Sequence, residues 1–218
     1  EANDYTPKDG LDRLLLNRRM IFVAAASPDG HGNEKTNQNE ACIVAAALKR
    51  IYSITKSYFD ADRTVGVIVP YRNQIAMIRK EISKLGIPDL LNISIDTVER
   101  YQGSQRDVII YSFTIHNFSQ LNFLTANTFR EEEFIIDRKL NVAITRARKQ
   151  LILTGNPDVL TANITFYKLM EYTRQENGFV DIPVNLFCSG DFEISDFSPA
   201  WDIRTDNYAL PDYFKDCY

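Results

Sequence analysis

The sequence predicts an α/β fold, with a mostly parallel sheet covered by helices on both faces, and three features of the 218 residues carry that reading. Residues 20–26, 64–69 and 107–113 are mostly apolar runs of strand length, as strands buried on both sides must be. Between them, apolar residues recur at the spacing of one helix face. The two kinds of segment alternate, which is the pattern of right-handed crossovers between parallel strands.

Taken in order, residues 11–19 form a short amphipathic stretch ahead of the first strand, and residues 27–36, rich in Gly, Pro, Asp and Asn, read as a loop. Asn37 is a fitting N-cap, and the stripe Ala41, Val44, Leu48, Ile51, Thr55 predicts a long helix ending near Phe59. Pro70 stops the strand over 64–69. A helix marked by Ile75, Ile78, Ile82 and Leu85 follows, ended by Gly86 and Pro88. Residues 92–97 supply a third strand and 107–113 a fourth, and the Asp96 to Glu99 spacing is that of a capping box. Residues 114–136 make a polar and aromatic excursion too long for a routine connector. Helix is expected over 137–149, strand over 150–154 and helix over 164–175. The chain thus divides into a lead-in helix or linker over 1–19, the α/β domain over 20–194, and a carboxy-terminal extension over 195–218 with no clear period.

Composition narrows the function. The formal charge of −4, from 25 basic and 29 acidic residues, provides no global positive field, so any nucleic-acid contact must be local. Cys42, Cys188 and Cys217 lie far apart with no CxxC spacing, which argues against a zinc site and a disulfide scaffold and makes a cytoplasmic location the default. His31 and His116 have no second histidine at ligand spacing, so no metal site is expected. Ser27 and Ser189 lack the neighbouring base of a nucleophile. No apolar run is long enough to span a bilayer, no signal segment opens the chain, and the start at Glu1 suggests a piece of a longer protein.

Three segments concentrate polar chemistry. In residues 140–148, Leu-Asn-Val-Ala-Ile-Thr-Arg-Ala-Arg, a helix would place Leu140, Ala143, Ile144 and Ala147 on one apolar arc, with Arg146 and Arg148 flanking it on opposite sides. Val142 falls opposite that arc, where an apolar side chain calls for something packed over it. Residues 67–74, Val-Ile-Val-Pro-Tyr-Arg-Asn-Gln, sit where a strand ends and a helix begins, the edge at which α/β sheets bind ligands. Backbone N–H groups there can hold a phosphate, Tyr71 can stack or pack, and Arg72 can pair. Residues 96–107 follow another strand and carry the polar run from Gln102 to Asp107. A solvated amphipathic helix, a proline-terminated strand and an ordinary turn would account for each segment singly.

In their order and spacing, the three segments together resemble motifs IV, V and VI of the carboxy-terminal, RecA-like motor domain of superfamily 1 helicases. The branch most similar includes the nonsense-mediated-decay helicase and the replication nuclease-helicases. The resemblance covers residues 20–180 and implies a P-loop NTPase-like fold without its own P-loop. It implies that Arg146 is an arginine finger reaching a γ-phosphate across a domain interface, with Arg148 beside it. It implies a nucleotide contact around Gly103 and Gln105, and contacts from Pro70, Tyr71, Arg72, Thr97 and Gln102 to single-stranded nucleic acid, DNA or RNA. Gln105 stands where relatives carry a ribose-binding Glu, so that contact keeps an acceptor oxygen but loses charge assistance. No G-x-x-x-x-G-K-[ST] loop and no paired-acid strand end occurs in the sequence. The implied cofactor, ATP with Mg2+, then needs an amino-terminal RecA-like domain of the same parent chain, and this chain alone would not hydrolyse it. The alternative reading is a RecA-like module that binds nucleic acid or protein without motor activity. The aromatics Phe113, Phe118, Phe123, Phe129 and Phe134 can either interleave with bases or pack the excursion onto the sheet.

Overall fold

The computed structural model describes residues 5–25, 35–101, 105–125, 128–131 and 134–194. The extension over 195–218 lies outside them, as do Gln102 and Gly103. Six parallel strands form the central sheet: β1 (Met20–Ala24), β2 (Val65–Val69), β3 (Ser94–Thr97), β4 (Arg106–Ser112), β7 (Ala147–Gly155) and β8 (Phe179–Val180), in the spatial order β3-β2-β4-β7-β1-β8. This is the predicted RecA-like α/β arrangement. The helices are α1 (Gly10–Asn17), α2 (Gln38–Thr55), α3 (Arg72–Ser83), α4 (Phe118–Thr125), α5 (Arg138–Arg146), α6 (Pro157–Leu160), α7 (Ile164–Gln175) and α8 (Val184–Ser189).

Alternation along the strands feeds two separate cores. Ile21, Val23, Val67, Ile110 and Ile152 face one side and pack with α1, α2, α3 and α8. Met20, Phe22, Ile68, Tyr111 and Leu153 face the other, against α4, α5, α6 and α7. With apolar cover on both faces, the strands have no polar side, which is why they read as unbroken apolar runs. The α2 stripe is buried as expected, and Asn37 caps the helix by accepting from the Glu40 amide at 3.1 Å. The helix ends at Thr55, four residues short of Phe59. Helix α1 is tied to the sheet: Leu11, Leu14 and Leu15 are buried, and the Gln150 side chain donates to the Leu15 and Arg18 carbonyls at its end. Among the described residues, no helix is long and apolar enough to cross a membrane.

Tertiary pairing overrides three local expectations. The helix over 137–149 stops at Arg146, because Ala147 already pairs with Arg106 on β4; Arg148 therefore stands on β7 and not on a helix. Lys149 is held there by Asp107 at 3.3 Å. The arc of Leu140, Ala143, Ile144 and Ala147 is buried as expected, but half-buried Val142 packs against the same core, so no second domain is needed to cover it. Asp96 does not begin a capping box, since no helix follows. Its carboxylate accepts from the Thr97 amide, and the Thr97 carbonyl accepts from Arg100 and Tyr101 in a tight turn. Within the excursion, α4 is followed by an antiparallel hairpin, β5 (Thr128–Glu131) and β6 (Phe134–Asp137), outside the main sheet.

At the end of the turn, the Tyr101 ring is laid on Gly66 of β2, near Arg106 at the start of β4. A Cβ at residue 66 would overlap the Tyr101 hydroxyl and touch Arg106. The Arg106 guanidinium in turn lies 5.8 Å from the centre of that ring and donates to Ser94 at 3.0 Å. Glycine is thus required at 66 for close approach rather than for backbone freedom. Gly66→Ala is expected to cost about 1–3 kcal/mol by overpacking, lowering the melting temperature by several degrees. Adding Tyr101→Ala should recover part of the loss, and thermal melts of the single and double variants check both.

Candidate nucleic-acid and nucleotide sites

Strands β2 and β3 end side by side, with Val69 paired to Thr97, and a cleft of about 590 Å³ opens above them. It gathers four of the five residues expected to touch nucleic acid, Pro70, Tyr71, Arg72 and Thr97. Lys35, Asn73, Glu99, Arg100 and Phe123 complete its walls. Tyr71 precedes the first turn of α3 and is only 8% exposed. Its ring stacks on Phe123, with centroids 6.1 Å apart and planes 17° from parallel, and the Lys35 ammonium lies 5.9 Å from its centre. Of the two roles open to Tyr71, packing is the one realised, and burial raises its hydroxyl pKa.

Beneath the cleft lies a polar network that sequence reasoning missed. Glu40, fully buried in the first turn of α2, accepts from the Thr114 amide at 3.0 and 2.9 Å, from the Ser112 hydroxyl at 2.7 Å and from the Asn37 side chain at 3.2 Å. Gln74, also fully buried, takes the Asn37 amide at 2.8 Å and donates to the Asn37 carbonyl at 3.0 Å and to Ser112 at 3.3 Å. His116 adds a ring-nitrogen contact to the Thr36 carbonyl at 2.9 Å. One signal could have disclosed Glu40, because Asn37-x-x-Glu40 has capping-box spacing. The structure diverts it: the amide such a Glu would serve is held by Gln74, and the carboxyl turns inward to β4.

The residues expected to meet nucleotide gather at the opposite edge of the sheet. Gln105 precedes β4, and Arg146 ends α5 immediately before β7. Gln105 donates to the Thr145 carbonyl at 3.5 Å and accepts from exposed Arg148 at 3.4 Å, both long contacts. Arg146 is half-buried, and its Nε, shielded from solvent, makes no hydrogen bond. The two edges are separated by the length of β4, roughly 20 Å at the usual strand rise. The structure therefore brings Gln105, Arg146 and Arg148 together and keeps them apart from Pro70, Tyr71, Arg72 and Thr97.

Residues 14–158 match the family described as AAA domain. The chain belongs to this family. Similar proteins include MOV-10 of Gallus gallus, named as a helicase, 33% identical over 56% of this chain and 13% of the relative. An RNA helicase relative named armi, from Drosophila melanogaster, is 27% identical over 78% of this chain and 15% of the relative. The DNA polymerase alpha-associated DNA helicase A of Saccharomyces cerevisiae is 36% identical over 58% of this chain and 16% of that protein. This is thus a helicase-family domain, and the resemblance to superfamily 1 helicases read from its motifs holds. The chain spans only 13–16% of the length of these relatives.

Burial lifts the Glu40 carboxyl from 4.5 to about 8, against the lowering effect of the hydrogen bonds it accepts. Folding accordingly favours the protonated form. Its contribution to stability is complete in acid and declines as pH rises toward about 8, then levels off. Glu40→Gln, which stays neutral, should lack this component. In melts of both proteins from about pH 5 to about pH 9, the parent should lose stability relative to Glu40→Gln as pH rises; parallel pH profiles would contradict it.

Proposed function

We propose that this chain is the carboxy-terminal motor domain of an ATP-dependent superfamily 1 helicase, supplying an arginine finger and part of the single-strand surface. The observation that carries the reading is the placement of Arg146 at the end of α5, where Gln105 reaches the Thr145 carbonyl and Arg148 reaches Gln105. Arg146 is half-buried at the end of α5, and the planar fork of a guanidinium there suits a phosphoryl group presented across a domain interface. Family membership and helicase relatives support the same assignment.

These residues fit half of an ATP site. Arg146 would stabilise negative charge that develops during phosphoryl transfer, Gln105 offers an amide oxygen to a ribose hydroxyl, and Arg148 holds Gln105 in place. Gly103 belongs to the same proposed contact. In this reading magnesium and the phosphate cradle come from a preceding RecA-like domain, as the superfamily resemblance implies. At the other edge, Pro70, Tyr71, Arg72, Thr97 and Gln102 would follow the strand's backbone. Closing and opening of the two domains would then move that surface along the strand. Gln105 in place of an acid favours one other reading, a binding module without turnover, which the same experiment addresses.

The 218-residue chain alone should show no ATP turnover, with or without a single strand. In the enzyme containing both motor domains, Arg146→Ala should lower turnover on the order of 10³-fold while leaving the fold and strand binding nearly intact. Arg146→Lys should rescue little, because a flexible point charge does not reproduce the fork. Steady-state ATPase rates and melts decide it, and near-parental turnover of the alanine variant would remove the finger from the proposal.

A further inference from the structure

We infer that Lys149 is a positioning residue of the proposed nucleotide site: by occupying the Asp107 carboxylate it keeps the Arg148 guanidinium turned to Gln105. The inference rests on the half-ATP-site reading above, and it gives a role to two residues that the motif resemblance leaves without one. Strand β7 is irregular where it enters the sheet. Ala147 pairs with Arg106 and Gln150 with Val108, so two residues of β7, Arg148 and Lys149, stand opposite the single Asp107 of β4. A bulge of this kind re-aims side chains. In an even register Arg148 would itself be the residue opposite Asp107. The extra residue gives that place to Lys149, whose ammonium lies 3.3 Å from the Asp107 carboxylate, and Arg148 reaches the Gln105 amide oxygen at 3.4 Å instead.

The strengths of the competing contacts make Lys149 necessary. Arg148 is exposed, and it meets Gln105 through one long hydrogen bond to a neutral oxygen. A carboxylate is the stronger partner for a guanidinium, because it is charged and matches the planar fork with two oxygens. Left unneutralised, Asp107 would draw Arg148 away from Gln105. Asp107 itself stays in place, since its amide donates to the Arg63 carbonyl at 2.9 Å. Its pair with Lys149 is largely shielded, the two side chains being 14% and 15% exposed, so solvent ions screen it less than a surface pair. The bulge is pinned at both ends by buried residues, Ala147 on one side and Gln150 on the other, and the Gln150 side chain donates to the Leu15 and Arg18 carbonyls.

The test titrates the enzyme containing both motor domains with an ATP analogue labelled on its base, in the presence of Mg2+, and reads equilibrium affinity. Arg148→Ala and Lys149→Met should each weaken binding on the order of tenfold, the loss expected when a charged hydrogen bond goes. Lys149→Arg, which keeps the pair with Asp107, should bind as the parent does. Asp107→Asn should bind nearly as the parent, because it removes the competing charge together with the need to neutralise it. Adding Asp107→Asn to Lys149→Met should therefore restore affinity, an outcome that a merely structural role for the pair does not produce. Parental affinity in Lys149→Met beside a loss in Arg148→Ala would overturn the positioning role and leave the half-site standing. A double variant no better than Lys149→Met would likewise overturn it. Parental affinity in Arg148→Ala would remove Arg148 from the nucleotide site, and the inference with it.

Discussion

Glu40 is a fully buried carboxyl group with no paired cation among the described residues, held by hydrogen bonds from Thr114, Ser112 and Asn37. A buried acceptor with that many partners is costly to disturb, because each donor left unsatisfied adds its own desolvation penalty. The donors belong to separate parts of the chain: the start of α2, the end of β4 and the residue leading away from it. Gln74 extends the same network into the first turn of α3. Thr114 holds a φ of 53°, an uncommon conformation for a β-branched residue, and both Glu40 oxygens contact its amide. The cleft above owes its shape to this arrangement, since Lys35, Tyr71 and Phe123 all stand on segments that the network joins.

The sheet sets the distance between the two proposed halves of the machine. Strands β4 and β7 lie at its centre, and the residues proposed to meet nucleotide sit where they begin, whereas those proposed to meet the single strand sit where β2 and β3 end. Between the two edges, Tyr101 packs against Gly66 of β2, and Gln105 lies beside Arg148 at the start of β7.

Read from the residues, the fold was largely visible because it is a local property repeated many times: strands covered on both faces must be apolar throughout, and helices that cover them must carry stripes. The stripe on α2, the N-cap at Asn37 and the α7 bounds 164–175 all follow from such neighbour-scale rules. The positions of Pro70, Tyr71, Arg72, Thr97, Gln105, Arg146 and Arg148 were equally visible, through spacing and resemblance. Three matters depended on residues distant in sequence. Arg148 left the helix because β4 offered Ala147 a ladder partner at Arg106, far back along the chain. The turn after Asp96 brings Tyr101 onto Gly66 of a neighbouring strand, a contact that capping-box spacing does not report. Tyr71 became a covered ring because α4 folds back onto the cleft and lays Phe123 against it. Periodicity reports which face of an element is buried, but what buries it depends on long-range packing, and the covering of Tyr71 is settled at that level.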